Sequence, residues 1–355
     1  MLRSPAFGHD FTLAPQLRGG VQRQPADLVD PVGPESMIGM DPPDHTRLRR
    51  LVSAGFTPRS VQALRPRVEE LAAGLLHDLN GPVVDIVPRF AGVLPVLVIC
   101  DVLGVPARER ERFTHWGDLL AVTLDATASS RAQRHGRAAL RDLQAWFSEL
   151  FAERRRSPGD DLVSRLLAVE EDGDQLTYRE LMATCLLLLA AGFETTVNLL
   201  GNGTKALLAH PEQTALLREE SARLPDAIEE MLRYDAPVQL TARLALRDVE
   251  VADVTVPRGV PVITLLGGAN RDPAVFDDPD RFDVTRPDAR QHVSFAVGVH
   301  HCLGAALARL EGEVGFAALL DAFPDLTAAG PARQRKTFVL RGPASVPVRA
   351  PALTR

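Results

Sequence analysis

The chain has 355 residues, of which 45% are apolar, enough to bury a large core; its charge of −6 is interleaved, leaving no basic footprint for nucleic acid. Cys100, Cys185 and Cys302 have no short spacing, which argues for a reducing compartment and against a disulfide scaffold. The N-terminus lacks the apolar core of a signal peptide, and the longest apolar runs, 91–100 and 181–193, fall short of the roughly 20 residues that span a bilayer, so a cytoplasmic protein with no membrane association is expected.

In chain order, the first 40 residues are rich in Pro, Gly and Asp and read as a long loop. Asp41 as a cap, Pro42 at the first helical position and Asp44 in a capping-box spacing predict a helix through about Phe56. On it His45 and Arg49 are four apart and share a face; they suit a bound dianion, or form a solvated basic face with Arg47 and Arg50. Helical patterns follow over 59–79 and 90–103, a break at Gly104, and a charged helix from near Arg108. Leu119 to Arg134 reads as a loop, Arg137 to Arg155 as an amphipathic helix, and 172–174 as a turn. Tyr178 to Leu208 is apolar nearly all round, which predicts a helix through the middle of the molecule.

Within that helix Ala191, Gly192 and Thr195 share a face with a groove where a ligand could press against the backbone. Glu194 beside Thr195 is expensive in an apolar helix unless used; alternatively the hydroxyl bonds back to a helix carbonyl and Glu194 reaches the surface. Asp226 to Tyr234 forms a short helix with Glu230 and Arg233 three apart. Alternation over 238–262 predicts strands with turns at Asp253 and at Arg258 and Gly259. An irregular passage over 270–290 leads to the stretch Phe295 to Gly304 and a helix over 305–320; 338–348 reads as a hairpin.

The stretch from Phe295 to Gly304 holds Gly298, His300, His301, Cys302 and Gly304. Cys302 at a helix start is placed where unpaired N–H groups and the helix dipole favour a thiolate. Three readings are open: a buried structural cysteine, a zinc site using His300, His301 and Cys302, or an axial thiolate under a haem, with glycines allowing close approach. Three adjacent side chains diverge, which disfavours zinc.

Four spaced segments together resemble the cytochrome P450 haem-thiolate monooxygenases, most closely soluble bacterial members: the loop from Phe295 to Gly304, the run Ala191-Gly192-Phe193-Glu194-Thr195-Thr196, the pair Glu230 and Arg233, and the stretch from Asp41 to Arg49. The resemblance implies a mainly α fold with small β-sheets in a single domain over 1–355. It also implies that the usual N-terminal helix and first strands are missing, so that either the start is truncated or the fold closes without them; Leu2 to Asp10 already resembles the end of the second helix.

Carried over residue by residue, the resemblance implies haem b with Cys302 as axial ligand and Phe295 shielding its sulfur. His45, Arg49, Arg243 and His300 would hold the propionates, Gly298 and Gly304 flank the ligand loop, and Ala191 and Gly192 face the oxygen side. Glu194 and Thr195 would deliver protons, Glu230, Arg233 and Arg281 would be structural, and Leu188, Val238, Leu240 and Phe338 would line the substrate pocket. Position 296 is Ala where the family usually has Gly, which is tolerable if its φ is negative. The implied activity is an oxidoreductase that inserts one oxygen atom from O2 into an apolar small molecule such as a polyketide or terpenoid. Electrons would come from ferredoxin and ferredoxin reductase, with NAD(P)H used only indirectly, docking near Arg47, Arg50 and Arg59. A peroxide-driven hydroxylase and a non-catalytic haem-binding helper are the other readings; loss of oxygen-driven but not peroxide-driven turnover in Thr195→Ala separates the first from the main one.

Overall fold

Tyr178–Ala209 forms one helix of 32 residues, started by a capping box in which the Thr177 hydroxyl accepts from Glu180 N–H and the Glu180 carboxylate accepts from Thr177 N–H. It is long and apolar enough to cross a membrane, but 78% of its most apolar window is buried inside the protein. The apolar periphery of this helix is used on most sides: helices Leu94–Leu103, Arg110–Ala121, Leu224–Tyr234 and Ala305–Ala322 all pack on it. Close approach depends on small residues; a Cβ at Gly203 would lie 2.3 Å from Phe316 Cζ and 2.7 Å from Met231 Sδ. The structure, a computed structural model, describes residues 1–14, 28–121, 129–171 and 174–349.

Mainly helical structure with small sheets is what the residues predict, and several boundaries differ for local reasons. The helix expected from Asp41 runs over Asp44–Ser53, because the Asp41 carboxylate is engaged elsewhere, accepting from His9 N–H at 2.8 Å and Asp10 N–H at 3.0 Å. Leu94–Leu103 ends at Gly104 with φ +76° as its glycine implies. Ser130–Arg156 starts earlier than Arg137, capped by the Ser129 hydroxyl, which accepts from Ala132 N–H. Residues 122–128 of the expected loop and 172–173 of the expected turn lie outside the described residues.

The main sheet is antiparallel, in the order Phe7–Gly8, Leu240–Ala245, Pro261–Leu265. Phe7 and Gly8 are therefore a strand and not the end of a helix: Phe7 sits opposite Ala245 and Gly8 opposite Leu244. The hairpin expected over 338–348 does not pair with itself. Pro343–Ser345 pairs back with Arg333–Gln334, and Pro347–Arg349 pairs with Val83–Asp85, the second contact being too remote in sequence to leave a local pattern.

The irregular passage before the cysteine stretch is ordered by a buried ion network. Arg233 and Glu230, both fully buried, form a two-pronged pair at 2.6 and 2.9 Å. Arg233 also donates to the carbonyls of Asn270, Pro279 and Arg281, so the donors not spent on Glu230 are used by the passage it pins. Glu230 meets a second cation, but it is Arg286 at 3.3 Å and not Arg281. The Arg281 side chain is 62% exposed and reaches Asp283, contributing to the network only its carbonyl, whereas Arg286 is buried and also donates to the carbonyls of Asp277, Asp278 and Arg281. Removing one member of a buried pair strands the other charge, so Arg286→Ala is expected to cost about 3 kcal/mol. Arg281→Ala should cost less than about 1 kcal/mol. Urea denaturation of the two variants checks the difference.

Candidate functional site

The cysteine stretch is a loop closed by its own backbone: Cys302 N–H donates to Phe295 carbonyl at 2.9 Å and His301 N–H to Gly298 carbonyl at 3.0 Å. Gly298 has φ +84°, and a Cβ there would lie 2.5 Å from the Leu2 carbonyl oxygen, so its glycine serves contact with the start of the chain and not close approach of a ligand. Ala296 has φ +53°, the left-handed region and not the negative φ expected of a residue with a Cβ, at a cost of roughly 1–2 kcal/mol. Gly304 differs from both: nothing lies within 4 Å of where a Cβ would sit, and it opens onto a cavity.

Cys302 lines that cavity, with Phe295, Leu303, Leu307 and Ala308 around it. The Cys302 side chain is exposed to that cavity, and desolvation by the protein around it raises the thiol above its ordinary value against the pull of the Gly304 N–H and of the Arg49 and Arg309 guanidinium groups. The helix start therefore does not by itself make a thiolate here, because desolvation outweighs the dipole, and ionisation waits for a cation to replace the proton.

Across the cavity stands the central helix, presenting Leu188, Ala191, Gly192, Thr195 and Thr196. The Thr195 hydroxyl donates to the Ala191 carbonyl at 2.7 Å, the within-helix bond open from the residues alone. Glu194 points elsewhere; only 4% exposed, it forms an ion pair with Arg335 of the C-terminal segment. Adjacent residues on a helix point about 100° apart, which separates the acid from the alcohol.

The rim carries His9, His45, Arg49, Arg243 and His300. Arg49 donates to the carbonyls of Val299 and His301, tying helix Asp44–Ser53 to the cysteine loop. His9 is the member that residue patterns miss. Its place follows from sheet register: with Gly8 opposite Leu244, His9 comes next to Arg243 on the neighbouring strand. The His300 ring lies between those of His9 and His45, tilted to both, with centroids 4.1 and 4.2 Å away. His9 Nε2, both nitrogens of His45 and His300 Nε2 are buried without a hydrogen-bond partner. Burial and the neighbouring cationic groups hold His9 down at about 3 and His45 at about 4, so both are neutral imidazoles near pH 7.

Leu188 and Val238 line the cavity; Leu240 and Phe338 do not. Side chains alternate along a strand, and Thr241 and Arg243 are the inward residues of theirs, which turns Leu240 to the other face. Phe338 is 60% exposed, while Met37, Ile38 and Ile99 supply apolar wall that residue patterns do not mark. Among the described residues no three His, Cys, Asp or Glu side chains converge as metal ligands, since His300 turns to the rim and His301 toward Phe295.

A lone thiol facing a small-residue helix face, with anion donors at one rim, matches the four spaced segments as one site. The family model for Cytochrome P450 matches residues 112–337. The chain belongs to the cytochrome P450 family. It is 47% identical over 351 residues to a "Putative cytochrome P450 140" of Mycobacterium tuberculosis (strain ATCC 25618 / H37Rv), covering 98% of this chain and 80% of that protein. It is 48% identical over 314 residues to the 6-deoxyerythronolide B hydroxylase of Saccharopolyspora erythraea, covering 87% of this chain and 76% of that one. The solved P450 PksS of the Bacillus subtilis 168 bacillaene polyketide synthase superposes with a TM-score of 0.89 at 37% identity, covering 99% of this chain and 87% of that structure.

A P450 is a haem monooxygenase with a cysteine thiolate on the iron, and the residues present fit such a group. Gly304 leaves room beside the sulfur, Ala191 and Gly192 leave room on the facing helix, and the orphaned imidazole nitrogens and two guanidinium groups at the rim suit a pair of carboxylates.

Behind the P450 cysteine loop lies a second ionic network. Arg309 stacks over Phe295 at 4.7 Å and is paired with Glu229 at 2.6 and 2.9 Å, and His292 Nε2 is 3.1 Å from the same carboxylate. Burial alone would raise Glu229, but the hydrogen bonds from Arg309 and His292 hold it down at about 2. A carboxyl depressed on folding stabilises above its unfolded value of 4.5 and loses that contribution as pH falls toward the folded value. The shift corresponds to roughly 3 kcal/mol. Glu229→Gln should lower stability near neutral pH by about this amount and flatten the profile between about pH 2 and about pH 5, measured by urea unfolding as a function of pH.

Proposed function

We propose that this P450 inserts one oxygen atom from O2 into an apolar small molecule, by hydroxylation or epoxidation, using electrons from a ferredoxin that is reduced by NAD(P)H through a ferredoxin reductase. The observation that carries this reading is the placement of Thr195 and Cys302 on the same cavity. In the proposed arrangement Cys302 holds haem b and Phe295 shields the sulfur. His45, Arg49, Arg243 and His300, joined by His9, would hold the two propionates, the unpartnered imidazole nitrogens and the positive charge of the two arginines matching carboxylate oxygens. The bound haem supplies the oxygen-activating chemistry.

The protein's own part is binding and proton management. Thr195 presents a hydroxyl to the cavity, while Glu194 is buried one residue away and tethered to Arg335, so proton delivery from Glu194 requires that ion pair to loosen. Leu188, Val238, Ile38 and Ile99 give an apolar wall that excludes water and favours a hydrophobic ligand. One solved relative is titled as part of a bacillaene polyketide synthase, which supports a polyketide-like or terpenoid-like secondary metabolite as the substrate class. The enzyme is read as a single cytoplasmic domain over 1–355. Of the arginines proposed for ferredoxin docking, Arg50 and Arg59 are exposed, and Arg47 pairs with Asp174 and Glu180.

The reduced, carbon-monoxide-bound protein should show the red-shifted band of a thiolate-ligated haem, and Cys302→Ala should lose it; a purified protein that takes up no haem contradicts the proposal. Thr195→Ala should lower product formed per NAD(P)H oxidised by about tenfold or more while sparing peroxide-driven turnover, measured as product against hydrogen peroxide released. No effect of Thr195→Ala on either turnover would favour the peroxide-driven alternative. His9→Ala should speed haem transfer to apomyoglobin without changing the position of the carbon-monoxide band.

A further inference from the structure

The rim of the cavity gathers three imidazoles into one cluster, the His300 ring lying 4.1 Å from that of His9 and 4.2 Å from that of His45. His45 is 1% exposed, and neither of its ring nitrogens has a hydrogen-bond partner. A neutral imidazole carries one N–H and one bare lone pair. Whichever tautomer His45 adopts, it therefore buries a donor and an acceptor together with nothing to meet them. Stranding both is costly, and an apolar ring of similar size would avoid the cost, so the position asks for a ligand.

The charged groups that face the cluster come from three elements. Arg49 follows His45 on helix Asp44–Ser53, Arg243 adjoins His9 across the sheet, and the Asp41 carboxylate lies 4.0 Å from His300 Nε2. Burial is the largest cause that keeps His9 and His45 neutral; the guanidinium charges of Arg243 and Arg49 push the same way, and Asp41 opposes them. Asp41 is itself ionised, because hydrogen bonds, among them those from His9 N–H and Asp10 N–H, overcome its burial and hold it down at about 2. The side chains around the cluster thus sum to +1, two guanidinium charges less one carboxylate. Two propionates would take that sum to −1 and reverse the field at the imidazoles.

We propose that a proton completes this propionate site: when two carboxylates enter the rim, His45 takes up one proton from solvent and binds them as an imidazolium. The new N–H bond forms at the nitrogen that was bare, so both ring nitrogens become donors toward oxygens that can only accept. One proton also returns the charge of the rim to zero. Arg49 and Arg243, which disfavour the imidazolium while the cluster is without its ligand, are then neutralised by the same carboxylates that favour it. The site is in this way selective for free carboxylates over their esters. This role deepens the haem-binding reading above and rests on it.

The test uses the haem-loaded chain with histidine carrying the heavy nitrogen isotope, reduced and bound to carbon monoxide so that the iron is diamagnetic. At about pH 7.5, where exposed histidines are mostly neutral, nitrogen NMR should show an imidazole with both nitrogens protonated. That signal should be lost in His45→Gln, which keeps a donor but cannot take a proton. It should also be lost in the wild type loaded with haem dimethyl ester, which offers no carboxylate, and this comparison decides alone if His45→Gln loads too little haem. The proposal is overturned if no such signal is present, if it survives His45→Gln, or if the ester-loaded protein shows it unchanged. Failure of the haem-binding reading looks different: neither haem nor its ester would enter the chain, and both proposals would fall together.

Discussion

A buried carboxylate stays charged only when its lone pairs are used, and that requirement organises the approach to Cys302. Glu230 is satisfied by Arg233, by Arg286 and by the Asp283 N–H, and the two arginines spend their remaining donors on carbonyls of the passage over 270–290. The order continues into the cysteine loop. Asn270 accepts from Val293 N–H and donates to the Ser294 hydroxyl, which donates to the Leu232 carbonyl, so helix Leu224–Tyr234 sets the position of the residue just before Phe295. A segment with almost no regular structure is thereby held as firmly as a helix, by polar groups with no water to turn to.

The cavity follows from a different physical rule, the division of labour around one helix. Tyr178–Ala209 is buried by apolar contact on most of its circumference, and small residues at 191 and 192 leave one strip unfilled. Groups that cost free energy to bury are gathered about that strip: the imidazoles of His9, His45 and His300, the Glu194–Arg335 pair, the Cys302 thiol and Glu311. Gathering such groups about one strip is costly, and the cost is spread over a core large enough to carry it.

Much of this was legible from residues alone. The central helix announces itself by apolarity on all sides, the pair at 230 and 233 by helical spacing, and Cys302 by its glycine-flanked loop, and joint spacing of the segments was enough to reach the family. What went astray did so for identifiable reasons. Arg281 and Arg286 are both arginines in an irregular passage, and only packing shows that one points to solvent. Leu240 looked like a pocket residue until strand register turned it outward, and His9 lay in a loop-like stretch with no pattern until pairing of Gly8 with Leu244 set it beside Arg243.

By itself the sequence determined most of the helices through periodicity, while the sulfur ligand and the reaction class came only from resemblance to a known family, because local spacing left Cys302 open between a structural, a zinc and a haem reading. The tertiary structure decided which charged groups are paired, which polar atoms are stranded and which side chains share the cavity. Those properties arise from contacts between segments hundreds of residues apart, and from desolvation, which no local pattern encodes. Thus the thiol is raised by its surroundings despite its helix start, Glu194 is committed to Arg335, and Glu311, one acid among many in the chain, is buried facing the site with its carboxyl raised.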